Sequence, residues 1–244
     1  IPANIIEDED KLTSFARDVA LLKKHDTNIV IIHDHSNLVT DVLSTFGMKE
    51  MTIEGTRVAD HKMVKLIEMV VSGHINMKIS KKRQDSNIQQ IIDMGFVGEP
   101  MLINPEVLVD FEDANIVAVL SPIAYGDNNQ TFLLDVNLTA AIMSSAMAAS
   151  RLFFLHPKAG IKSAQKLLDE ISVKELRQIK HQQKFAHEEM DIIKASISAI
   201  ENHTENVHII DSEVKNAILL DLFYDSRPGT LVKSDFEPNI IISD

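Results

Sequence analysis

A chain of 244 residues with 45% hydrophobic and 25% charged residues can bury the core of one large domain or two small ones, which excludes a disordered chain. Its formal net charge of -12 repels phosphate backbones at long range and argues against nucleic acid as the main partner, and the absence of cysteine excludes disulfides, thiolate chemistry and Cys-ligated zinc. No run of about 18 uncharged apolar residues marks a membrane span, and no apolar signal-peptide core follows Ile1, so the expected location is cytoplasmic with no membrane partner. Ile1 stands where a Met would open the chain, and further residues ahead of it are expected.

Leu12, Phe15, Ala16, Val19 and Leu22 recur at helical spacing and predict a first amphipathic helix. "NIVII" (28–32) follows as a strand, and "HDHS" sets His33 and His35 at its end, where a histidine pair without a further placed ligand reads as structural or solvent-facing rather than as a metal site. Met63, Val64, Ile67, Val70 and Val71 predict a helix over Asp60 to Ile79. "SKKRQDSN" (80–87) reads as a solvated connection, and "GFVGEPMLINPE" (95–106), with two glycines and two prolines, as an irregular excursion holding a short strand. "NIVAVL" (115–120), "RLFFL" (151–155) and "NVHII" (206–210) are strand-like, with the few polar residues expected of strands covered on both faces. "FLLDVNLTAA" (132–141) runs from a strand into a helix of small residues, with Asp135 and Asn137 at the junction. Residues 162 to 202 read as a charged helical block, and Ala217, Ile218, Leu220, Leu222 and Phe223 as a closing helix.

Strands alternating with helices predict an α/β fold, a three-layer sandwich around a mainly parallel sheet. A boundary near residue 160 would divide it into two lobes, 1–160 and 161–244, on one shared sheet. Eight glycines are about half the usual share of roughly 7%, which counts against a chain built to cradle phosphate. No GxGxxG, GxxxxGK[ST] or GxSxG is present. "HEEMD" (187–191) echoes the zinc-protease helix without its second histidine, so no metal site is expected.

"LTSFARDVALLKKHDTNIVIIHD", "EGTRVADHKMVKLIEMVVSGHINMKI", "GFVGEPMLINPEVL", "NIVAVLSPIAYGDNNQTFLLDVNLTAAIMSSAMAASRLFFL" and "VHIIDSEVKNAILLDLFYDSRPGTLV" resemble, in this order, blocks of the acetylglutamate kinases of the amino acid kinase superfamily. The resemblance implies the amino acid kinase fold, with substrate binding and dimerisation in the first lobe and nucleotide binding in the second. By position it implies a substrate side at His33, Asp34, His35, Arg57 and Asp135, and a nucleotide side at His156, Lys158 and Gly160. Lys194 and Asn137 fall where the family keeps catalytic groups, and ATP with Mg²⁺ would be the cofactor if nucleotide binding survives. For Arg57, a grip on a substrate carboxylate and an ordinary ion pair stand equal.

The same comparison shows departures. Asn137 replaces the aspartate that organises the family's lysines, and Asp135 replaces a substrate-holding asparagine. The family's His-Gly-Gly-Gly-Pro is "HDHSN" (33–37), where Cβ atoms crowd the approach that glycine allows, and its Thr-Asp-x-x-Gly is "LHPKAG" (155–160). The late Gly-Gly-Met-x-x-Lys becomes "EEMDIIK" (188–194), with Lys194 shifted by one residue. Two functions follow: an inactive member kept as a binding, regulatory or structural subunit for a protein partner or small carboxylate, or an active kinase of arginine biosynthesis transferring the γ-phosphoryl group of ATP to a carboxylate. The helix over Asp60 to Ile79 carries more apolar surface than one core face needs, so a homodimer is expected.

Overall fold

The computed structural model describes residues 1–34, 40, 43–48, 51–53, 56–64, 77–80, 97–103, 105–114, 116–126, 130–158, 160–164, 166–224 and 227–235. A short turn, α1 (Ala3–Ile6), leads into α2 (Glu9–Lys24). Asp8 starts α2 by accepting the Asp10 and Lys11 amides, Glu9 and Asp10 lie in its first turn and Lys23 and Lys24 in its last, the charge order a helix dipole favours. β1 (Val30–Ile32), the hairpin β2 (Met51–Ile53) and β3 (Thr56–Val58), β4 (Met77–Ser80) and β5 (Val97–Ile103) follow, then α3 (Glu106–Asp113), β6 (Ala118–Leu120), β7 (Ile123–Tyr125), β8 (Thr131–Leu134) and α4 (Val136–Ala146). The second half runs β9 (Arg151–His156), β10 (Lys162–Ser163), β11 (Lys166–Leu167), β12 (Glu170–Ser172), α5 (Val173–Gln182), α6 (His187–Glu201), β13 (Asn206–Asp211), α7 (Ala217–Phe223) and β14 (Gly229–Lys233).

Backbone hydrogen bonds order the first-half strands as β4-β5-β8-β7 and the second-half strands as β12-β14-β13-β9, while β1 pairs with β6. The pairs β1–β6, β5–β8, β9–β13 and β12–β14 are parallel, and β4–β5, β7–β8 and β13–β14 antiparallel. Helices cover both faces of the second-half sheet. Phe154 belongs to a core with α4, α5 and α6 residues, whereas Phe153 and Leu155 pack with Leu22 of α2 and Ala217 and Ile218 of α7. Alternate residues of β9 therefore face opposite layers, which makes the three-layer sandwich. Ile193, Leu176, Val207 and Val232 are fully buried there, each contributing about 1.5–3 kcal/mol of burial. Small residues let α4 lie close along α6: Ala141, Ala195 and Ala199 meet in one core, and the Ser144 and Thr204 hydroxyls bond at 2.8 Å.

Several elements differ from expectation. The block 162–202 is helical only from Val173, because β10, β11 and β12 precede α5. Residues 95–106 hold not a short strand but seven-residue β5, an inner strand of its sheet. Its pairing with β4 shifts register between Lys78 and Ile79, and the irregularity falls beside Pro100, which has no N–H to give the ladder. Met77–Ser80 is strand where a helix was expected to run to Ile79, although residues 61–64 are helical as predicted; the intervening 65–76 lie outside the described residues. The strands expected at 28–32 and 115–120 begin at Val30 and Ala118, and Val119 is exposed, so β6 is not covered on both faces. Among the described residues, no helix is long and apolar enough to cross a membrane.

Candidate functional site

β1, β8 and β9 end at a common cleft of about 1480 Å³, into which α4 and α6 present their first turns. Strand ends and helix N-termini in an open α/β sheet form the place where such folds hold ligands. Asp34, Asp135, Asn137, His156 and Lys194 line it, together with Glu188. His33, Lys158 and Gly160 are not among its lining residues. Arg57 lies in β3 opposite Thr52, and His35 falls outside the described residues.

Several of the described candidates have local partners. His33 Nδ1 donates to its neighbour's carbonyl, Asp34 O, at 3.0 Å, and Nε2 is hydrogen-bonded to the Ser121 hydroxyl at 2.7 Å. Asp135 is the N-cap of α4: its Oδ1 accepts the Leu138 amide at 2.7 Å, and its backbone carbonyl accepts the Thr139 hydroxyl at 2.6 Å. Asn137 stands in the first turn of that helix, half-buried. Gly160 has φ +66, and a Cβ there would meet Thr230 Oγ1 at 2.4 Å. That hydroxyl accepts the Ile161 amide at 2.8 Å and donates to the Leu168 carbonyl at 2.6 Å, so Gly160 seats a loop on β14.

α6 sets the electrostatics. Its first turn holds Glu188 and Glu189, and the Glu189 carboxylate accepts the Ala186 amide at 2.9 Å. Glu188 lies 3.8 Å from His156 Nε2 and Glu189 3.6 Å from Lys158 Nζ. One turn on, Asp191 faces His187 at 3.2 Å and Lys194 at 3.8 Å. The His156 ring is buried; its Nδ1 accepts the Lys158 amide at 3.2 Å, and its Nε2 is without a hydrogen bond. Carboxylates thus take the end of the helix that attracts anions, and Glu189 and Asp191 stand beside Lys158 and Lys194. Among the described residues, no three His, Asp or Glu side chains gather as metal ligands.

The spacing of His187, Asp191 and Lys194 made their pairing legible in the sequence, whereas nothing local foretold the Glu188–His156 and Glu189–Lys158 contacts. A second arrangement escaped the sequence altogether. His208 Nδ1 and Asp221 Oδ2 meet at 2.5 Å, both buried, with the imidazole stacked on Phe153 at 4.5 Å.

The amino acid kinase family model matches residues 2–211. The chain is 32% identical to the acetylglutamate kinase of Rhodospirillum rubrum, over 93% of this chain and 83% of the relative. It is 29% identical to the acetylglutamate kinase of Ehrlichia canis, over 90% and 77%. Among solved structures, the N-acetylglutamate synthase from Neisseria gonorrhoeae complexed with coenzyme A and N-acetyl-glutamate matches with TM-score 0.79 at 20% identity, over 97% of this chain. The chain spans 58% of that synthase's length. The carbamate kinase from Giardia lamblia bound to AMP-PNP matches with TM-score 0.62 at 12% identity, over 93% of each chain. With the fold shared by these proteins and the sequence shared with the kinases over nearly its whole length, the chain belongs to the acetylglutamate kinase family, within the amino acid kinase superfamily.

Proposed function

We propose that this member of the family has kept the fold and lost phosphoryl transfer, and serves as a binding, regulatory or structural subunit. The first turn of α6 carries the proposal: Glu188 and Glu189 stand where the family has glycines, and they pair with His156 and Lys158. Phosphoryl transfer depends on positioned cations and backbone donors around the moving group, and each lost group typically costs about 10²–10³ in rate. Asn137 adds a second loss, because an amide cannot hold lysines by charge. Mg²⁺-ATP meets a poor donor set here, since Asp135 caps α4 and Asp191 pairs with His187 and Lys194.

Purified protein given N-acetylglutamate, ATP and Mg²⁺ is expected to release ADP at least about a thousandfold more slowly than the roughly 1–100 s⁻¹ of active kinases. Turnover within that range would overturn the proposal. The placement of Lys194 on the cleft favours a second function, an active acetylglutamate kinase, and the same assay decides between them. Asn137→Asp alone is expected to give less than a hundredfold gain, since Lys194 is engaged by Asp191 and the new carboxylate would stand two residues from Asp135.

A further inference from the structure

The inward stripe of α2 holds one residue out of keeping with its place. Ser14, Asp18, Val19 and Leu22 are the buried residues of this helix, spaced along a single face, and Asp18 stands there between a serine and a leucine. An ionised carboxylate in such a position is costly unless it is paired or hydrogen-bonded. Asp18 is 3% exposed, and its carboxylate makes no hydrogen bond or ion pair among the described residues.

Asp18 lines a cavity of about 380 Å³ between α2 and the turn that leads from β13 into α7. Ile5, Phe15, Leu155, Val214, Ala217 and Ile218 give this cavity apolar walls. Phe15, Leu155 and Ile218 also line the cleft, so they form the partition between the two spaces. Beside Asp18 on the helix, Ser14 Oγ donates to Asn216 Oδ1 at 3.1 Å, which leaves the lone pairs of the hydroxyl free to accept. The other carboxylate near the turn is already held: Glu213 accepts from Lys11 Nζ at 2.6 Å and from Asn4 Nδ2 at 2.7 Å. Asp10, Arg17, Glu213 and Lys215 are exposed around the rim, where water and salt screen them, and the buried charge of the cavity is Asp18.

We propose that this cavity binds a small primary amine, with its ammonium group against Asp18 and its apolar body on Phe15, Leu155, Val214 and Ile218. An ammonium has three donors and no acceptor, the complement of a bare carboxylate beside a hydroxyl that can accept. A metal ion is a poorer match, because one carboxylate is on offer: Glu213 is engaged, and no three His, Asp or Glu side chains gather among the described residues. An anion would meet Asp18 as a like charge. The volume falls within the roughly 300–1,000 Å³ of small-molecule pockets, and apolar walls around one placed polar group are their usual lining. Occupancy pairs a charge that folding buries alone, so binding adds directly to stability. The site is independent of whether the protein transfers phosphate.

The test adds 2-phenylethylamine, or 2-phenylethanol as its uncharged counterpart, at about 10 mM and pH 7.5 to the wild type and to Asp18→Asn. The amine is expected to raise the Tm of the wild type by at least about 2 °C and to slow hydrogen exchange at least about threefold in peptides spanning 13–19 and 212–218, with no change in one spanning 134–140 at the cleft. The alcohol is expected to do neither, and so is the amine on Asp18→Asn, a variant that keeps the fold because it removes a buried charge. An equal Tm shift in Asp18→Asn or with the alcohol would overturn the proposal, and so would protection confined to 134–140, which would place the amine among the carboxylates of the cleft. A wild type that shows neither a Tm shift nor protection with this amine or with the slimmer isoamylamine overturns it as well.

Discussion

Asp18 is 3% exposed on the inner side of α2, and burial pushes its carboxyl from 3.8 up to about 6. Between those values the folded chain holds more protons than the unfolded one, so this group makes stability fall as pH rises from about 4 to about 6 and leaves it at the lower level above, a loss on the order of 2–3 kcal/mol. Asp18→Asn is therefore expected to be more stable than the wild type at pH 7.5, by a margin that narrows markedly at pH 4.5. Urea unfolding at the two pH values checks this, and because the lowered carboxyls of Glu170 and Glu213 are common to both proteins they cancel in the difference. Gly160→Ala is expected to cost more than 1 kcal/mol, since φ +66 and Thr230 both oppose a side chain, with a lower Tm as the readout. Single residues were legible in the sequence where their work is local. The strand-to-helix junction at Asp135 was visible, and its capping follows from a side chain reaching three residues ahead. His208 and Asp221, thirteen residues apart across a loop and a helix, become partners only once β13 and α7 are packed, and no spacing announces them.

Among the elements, α5 offers the cleanest test of local coding. Ser172 and Glu175 form a reciprocal capping box, the Glu175 amide donating to Ser172 Oγ at 3.2 Å and the Ser172 amide to Glu175 Oε2 at 3.0 Å; the Ser172 amide, with the Ser172 hydroxyl, holds the Glu175 carboxyl below its usual range. Ser172→Ala is expected to cost about 1 kcal/mol in urea unfolding, and a loss below about 0.3 kcal/mol would show that packing of Leu176 alone starts the helix. β9 and β13 were legible because short runs rich in apolar residues point to a strand packed on both faces. β10 and β11 were not, because two-residue strands carry no period and the charged residues around them mimic the polar face of a helix. β5 was underestimated because Pro100 counts against a strand locally, whereas the register shift beside it removes the objection.

At the scale of the whole molecule, the family was readable from five ordered blocks, since spacing between buried segments survives where polar site residues change. A homodimer is expected, and sedimentation at micromolar concentration giving a 27.3 kDa species would exclude it. In a chain of net charge -12, the cations near the cleft find their counter-ions among the chain's own carboxylates. Glu189 and Asp191 are tethered to one helix, so their concentration beside Lys158 and Lys194 is fixed by geometry and is not lowered by dilution or dialysis. Any polyanion must displace these resident carboxylates. Added salt weakens the incoming attraction and the tethered competition together, so anion affinity at this cleft varies less with ionic strength than it does at a site whose cations are open to solvent.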